Sequence, residues 1–172
     1  MGIALIIVVA AILIYFVLKS NSQPTQEKNC IEPRKAVSRR FRIAGLSYRC
    51  TRKDIGIVMG KVGYDPSNEH DPNAIAIIAN IDQPNEKLLG FIKKEDQAHF
   101  GNLAYKEKEL PFLGFIEDFE NEEGKRMLFG KIRVYSGSES DVEADMANDL
   151  KVLTECFGQR NYKRRIMLLD EW

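Results

Sequence analysis

Apolar and polar positions divide this chain into three zones. Residues 3–18 form one unbroken apolar run that stops abruptly at Lys19. With Met1 and Gly2 the run is 18 residues long, and at about 1.5 Å per residue a helix of that length spans roughly 27 Å, enough for a thin bilayer core. Tyr15 lies near its end, where an interfacial ring is favoured. The pattern predicts a single transmembrane helix over 1–19, with the bilayer as the partner of residues 3–18. A cleaved signal peptide is the alternative. It fits less well, because Met1-Gly2 offers no basic side chain and the end of the run offers no small-x-small site. All nearby Lys and Arg follow the span. The positive-inside rule then predicts a single-pass inner-membrane protein with its N-terminus outside and its C-terminal domain in the cytoplasm.

The second zone, 20–40, is polar and basic and reads as a juxtamembrane linker. From residue 41 onward the pattern is that of short strands. Phe41 to Arg49 alternates and predicts a first strand. Ile55 to Tyr64 predicts a second, with Gly56, Gly60 and Gly63 allowing bends. Ala74 to Ala79 is a short apolar run and predicts a third, buried strand, with Ile75 and Ile77 on one face. Leu88 to Ile92 predicts the fourth. Lys94 to Tyr105 has a helical setting with Glu95 and Asp96 in its first turn. Leu110 to Phe119 and Met127 to Tyr135 predict a hairpin across Glu120–Gly124. Many short, curved strands with one interposed helix imply a small β-barrel.

Beyond 136 the pattern changes to helix. Val142, Met146, Leu150, Leu153 and Phe157 recur at helical spacing and predict an amphipathic helix over 141–157, its stripe expected to pack on the barrel. Residues 162–172 fit a strand or a helix equally. The predicted fold class is therefore α+β: an N-terminal transmembrane helix (1–19), a linker (20–40), a small barrel with one interposed helix (41–135) and a C-terminal helical extension (136–172).

Charge sharpens this picture. The formal net charge is zero, yet residues 19–53 carry ten Lys and Arg against two acids. Such a stretch fixes topology beside a membrane, or meets nucleic acid or anionic lipid. Three cysteines, Cys30, Cys50 and Cys156, without C-x-x-C spacing argue against a disulfide scaffold and a structural zinc site. Gly56-Ile57-Val58-Met59-Gly60-Lys61-Val62 is one residue short of a phosphate-binding loop and lacks the magnesium-binding hydroxyl. His70 and His99 have no second ligand at metal spacing. No nucleophile motif accompanies His70 and Asp71. The residues themselves point to no catalytic site, metal or cofactor.

One polar loop stands out: Asn68-Glu69-His70-Asp71-Pro72-Asn73, running straight into the third strand. Loop-to-strand rims often carry binding sites. The plainer reading is that Asp71 and Asn73 only satisfy backbone N–H groups in the turn.

Asn-x-His-Asp-Pro-Asn-Ala-Ile-Ala-Ile, followed by Leu89-Gly90-Phe91-Ile92-Lys93-Lys94-Glu95 and preceded by Ile43-Ala44-Gly45-Leu46-Ser47-Tyr48, resembles a HIRAN domain over residues 41–135. The departures are Glu69 for the usual Pro and His70 for the frequent Tyr. The resemblance implies an OB/SH3-like barrel. It also implies, from the members that bind the 3′ end of single-stranded DNA, a role for five residues here. Asp71 would accept from the terminal hydroxyl, Tyr48 and His70 would hold the end bases, Phe91 would sit where those members have a polar ring, and Lys94 would meet a phosphate. Ser47 stands where that subset has Arg, so one cation is missing. The function so implied is a membrane-tethered module for single-stranded nucleic-acid ends. The alternatives are a non-enzymatic adaptor recruiting a protein partner to the membrane through the barrel or the 141–157 helix and, third, an enzyme acting on a nucleotide or nucleic acid.

Overall fold

The computed structural model describes residues 36–79, 86–104 and 109–172. These residues include six strands: β1 Val37–Ala44, β2 Gly56–Tyr64, β3 Ile75–Ala79, β4 Lys87–Ile92, β5 Leu110–Glu120 and β6 Arg126–Ser136. All neighbours are antiparallel, and the strands close into a barrel in the order β1-β4-β3-β2-β5-β6. Among the described residues four α-helices accompany them, α1 Leu46–Arg49, α2 Gln97–Gly101, α3 Glu139–Phe157 and α4 Tyr162–Glu171, with single 3-10 turns at Arg52–Asp54 and Lys94–Asp96. Closure removes the unpaired strand edges that an open sheet of this size would present.

The alternation read from the sequence fills the barrel. Ile75 and Ile77 are fully buried in the interior with Phe41, Val62, Leu89 and Ile92. Phe100 of α2 plugs one end, meeting the rings of Phe41 and Tyr64 edge-on at centroid distances of 6.4 and 5.6 Å. Ile75→Ala is expected to cost about 2–5 kcal/mol, because the cavity left in a closed barrel collapses poorly. The midpoint of chemical denaturation measures it, and an unchanged midpoint would contradict the burial.

β5 is apolar on both faces, which explains its near-continuous run Leu-Pro-Phe-Leu-Gly-Phe-Ile. Phe112 and Ile116 point into the barrel. Leu113 and Phe115 belong to a second core outside it, shared with Tyr135 of β6 and with Val142, Leu153, Cys156, Leu169 and Trp172. The 141–157 stripe thus packs on the barrel as expected, and the face offered for a protein partner is the one that packs. Residues 162–172, open between strand and helix in the sequence, are helical. Asn161 caps that helix by accepting from the Arg164 N–H at 3.1 Å. The barrel and these helices form one compact unit within Glu32–Trp172.

Charge is built into the second core. Arg133 on β6 is buried and donates to both oxygens of buried Asp149, at 2.7 and 2.8 Å, and to the Trp172 carbonyl at 3.0 Å. The Tyr135 hydroxyl donates to the same Asp149 carboxylate at 2.5 Å. Asp145, one turn earlier, accepts from the Ala36 N–H at 3.0 Å. The last carbonyls of a helix lack intrahelical partners and carry its negative end. Here strand cations meet them: Arg40 donates to the Glu171 carbonyl at 2.8 Å and Lys131 to that of Asp170.

Three expectations need correcting. The first strand ends at Ala44 rather than at residue 49, because Gly45 takes the left-handed conformation (φ 79°) and turns the chain into α1. Residues 37–40, placed in the linker, are strand and pair with β6. The fold class is corrected at its N-terminal end. No helix among the described residues is long and apolar enough to cross a membrane; the longest, α3, is 19 residues and carries acids along its whole length. The fold is a closed six-stranded barrel with helices, and the single-pass inner-membrane location, N-terminus outside and domain cytoplasmic, is withdrawn with the transmembrane helix. The apolar run at 3–18, and the bilayer contact assigned to it, lie outside the described residues, as does Cys30.

Candidate nucleic-acid interface

The 65–74 loop folds through its own short polar side chains. The Asp65 carboxylate accepts from the N–H and hydroxyl of Ser67 at 3.1 and 2.6 Å. The Asn68 side-chain oxygen accepts from the N–H groups of His70 and Asp71 at 3.0 and 3.1 Å. Asp71 Oδ1 accepts from the Asn73 N–H at 2.9 Å. A backbone bond from Asp65 N–H to the Ala74 carbonyl, 2.8 Å, closes the loop where β2 ends and β3 begins. This is local competition of Asx side chains for backbone donors. The plainer reading of the loop accounts for one oxygen of Asp71.

Asp71 does more than close a turn. Its second oxygen, Oδ2, accepts from the Gln97 side-chain amide of α2 at 2.9 Å. The bond ties the loop to the helix that plugs the barrel. The Gln97 bond first, then the Asn73 N–H and the charge of Lys94, hold the Asp71 carboxyl below its ordinary value. An oriented, ionised carboxylate thus stands near an exposed ammonium group. Each carboxylate oxygen has two lone-pair directions, so Oδ2 keeps room for one further donor.

Phe91 lies on β4 opposite Ala44 of β1 and Ala76 of β3. Its ring is half-buried, and the Arg49 guanidinium sits 5.2 Å from its centroid. β1 reaches β4 here because position 90 is glycine: a Cβ there would fall 2.1 Å from the Ala44 carbonyl oxygen. Tyr48, beside Arg49 on α1, is 92% exposed. A large ring left so open is a ready stacking platform.

The five residues expected from the sequence fall into separate pieces. Asp71 and Lys94 are brought together, with Gln97 as a member the sequence reading missed. Phe91 is joined by Arg49, likewise missed. Tyr48 is on a helical turn rather than a strand. Among the described residues its side chain, like that of exposed His70, makes no hydrogen bond, ion pair or ring contact with the others; the His70 backbone alone is used by the loop. Gln97 left one faint signal, its place in the first helical turn after Lys94-Glu95-Asp96. Arg49 left only its neighbour Tyr48 within a basic stretch.

Other chemistry at hand is limited. Cys50 and Cys156 are buried free thiols, and burial pushes both up in pKa, which leaves them protonated and poor nucleophiles at neutral pH. Among the described residues no group of His, Cys, Asp and Glu side chains is placed to hold a metal ion. The chain matches no family model, no curated protein and no solved structure.

Proposed function

We propose that the barrel is a HIRAN-like module that binds the 3′-hydroxyl end of a single nucleic-acid strand. The observation that carries this reading is the Asp71 carboxylate, oriented by Gln97, kept ionised, and set near Lys94. A 3′-hydroxyl donates to such an oxygen, and Lys94 meets the adjoining phosphate. The open ring of Tyr48 stacks an end base, a contact worth about 1–3 kcal/mol. Arg49, held on Phe91, supplies a cation near the place where Ser47 replaces the Arg of end-binding HIRAN domains.

Titration of the full chain with oligonucleotides tests the reading. Ends with a free 3′-hydroxyl should bind at least tenfold more tightly than 3′-phosphate ends, which set like charges together. Asp71→Asn should erase most of that preference, while Lys94→Ala should weaken all ends alike and flatten the salt dependence. The pH dependence has a definite sign. A carboxyl held low in pKa stays charged above its depressed value, so the preference should persist through the ordinary carboxylate range and fade only below it. Equal binding of 3′-hydroxyl, 3′-phosphate and blunt duplex ends would overturn the proposal.

A further inference from the structure

A second candidate site lies on another part of the barrel wall. β1 pairs with β6 from Val37 to Arg42, opposite Ser136 to Lys131. At Ile43 it leaves β6 and pairs with β4 instead. β6 runs on through Gly130, Phe129 and Leu128 with no β1 partner beside it. Helix α4 passes over this gap and contributes Lys163, Ile166, Met167 and Asp170. The result is a cleft of about 540 Å³, within the range of small-molecule sites, about 300–1,000 Å³.

The floor of the cleft is apolar, made by Leu128, Phe129, Phe119, Ile166 and Met167. Its rim holds four cations, Arg42, Lys93, Lys131 and Lys163, against one carboxylate, Asp170. That carboxylate is already taken, since Lys131 binds it at 2.7 Å. Lys93 has only an exposed contact with Glu95 at 3.3 Å. Arg42 and Lys163 are exposed and have no hydrogen bond or ion pair among the described residues, though the charge of Arg42, after that of Lys131, also acts on Asp170. Positive charge therefore stands in excess around an apolar floor. Met167 keeps 54% of its surface in water, and a flexible thioether adapts to an incoming apolar chain.

We propose that this cleft binds a small anionic amphiphile: one phosphate, sulfonate or carboxylate group on an apolar chain. The chain lies along Leu128, Phe129, Ile166 and Met167, and the anionic group meets Arg42 and Lys163. A nucleotide fits less well. Phe119 and Phe129 are half-buried and turned edge-on to each other at 5.6 Å, and Phe129 also abuts Phe115 at 5.5 Å. These contacts use part of each ring, and among the described residues the lining offers no Asn, Gln, Ser or Thr side chain to read a base edge. The cleft shares no lining residue with the Asp71 loop.

Calorimetric titration of the full chain with dodecyl phosphate, below its micelle concentration, tests the proposal. Saturable one-site binding is expected, with dodecanol at least tenfold weaker, because the neutral head gains nothing from the cations. The double substitution Arg42→Ala/Lys163→Ala should weaken dodecyl phosphate about tenfold by the same argument. Met167→Asp, at an exposed position, should weaken it further, and circular dichroism confirms that both variants fold. Asp71→Asn should leave this binding unchanged. Dodecanol binding as tightly as dodecyl phosphate would overturn the assignment, as would indifference to Arg42→Ala/Lys163→Ala or a loss in Asp71→Asn. Adenosine monophosphate binding more tightly than dodecyl phosphate would assign the cleft to nucleotides and overturn it equally.

Discussion

Asp149→Ala is expected to destabilise the protein by about 3–5 kcal/mol, because it leaves the buried Arg133 guanidinium without its carboxylate. Asp149 is almost wholly buried and accepts from both Arg133 and Tyr135. Desolvation of the arginine remains when its partner is gone. Tyr135→Phe removes one bond to a charged acceptor and should cost less, about 1.5–3 kcal/mol. The double substitution Arg133→Met/Asp149→Leu is the informative control. Replacing both charges with apolar groups of similar size removes the desolvation penalty together with the pair, so it should be far milder than Asp149→Ala alone. Urea denaturation followed by circular dichroism measures all three. If Asp149→Ala unfolds at the native midpoint, Arg133 is not held as described.

Trp172→Ala should be nearly as damaging, at about 3–5 kcal/mol. The indole is buried, 5.7 Å from the Phe115 ring, and the Arg133 guanidinium lies 4.8 Å from its centroid. Loss of the ring opens a cavity in the second core and strips the arginine of one of its neighbours. The barrel interior is not touched. The expected signature is therefore a loss of protection from hydrogen exchange that is largest in α4 and α3, with β3 affected least. Uniform loss across both cores would mean that the helices and barrel melt as one unit, and unchanged stability would contradict the burial of the ring.

The strands of this fold were legible where burial on one or both faces leaves a short apolar run in the sequence. Ile75 and Ile77 illustrate it, and so does the double-sided run of β5, whose length and apolarity matched a strand covered on both faces. The first strand was read too far because alternation continues past Gly45, and only the backbone conformation of that glycine reveals the break. In α3 the apolar stripe was plain, but two of its most buried members are acids. Asp145 and Asp149 stand three and seven positions after Val142, on the same helical face. A hydropathy reading assigns them to solvent, since their partners, Ala36 and Arg133, are remote in sequence. The same limit applies to the candidate site. Asp71 lies in a loop whose composition announced it, whereas Gln97 and Arg49 acquire meaning only when loop, helix and strand are brought together. The 3–18 run shows the reverse case: a strong hydropathy signal predicted a transmembrane helix, while the described fold is the barrel and its helices.

The route of β1 has a consequence for how the chain folds. β2, β3 and β4 form a meander, β5 and β6 form a hairpin, and the β2–β5 pairing joins the two. β1 must pair with β6, the most distant strand in sequence, and then with β4. The entropy of closing so long a loop precedes any gain from the contacts it allows, which slows topologies of this kind. Until β1 docks, β4 and β6 each offer a bare row of backbone donors and acceptors to any other chain. Refolding yield should accordingly fall as protein concentration rises, and β1, the strand that makes the protein a closed body, is also what keeps it from becoming an aggregate.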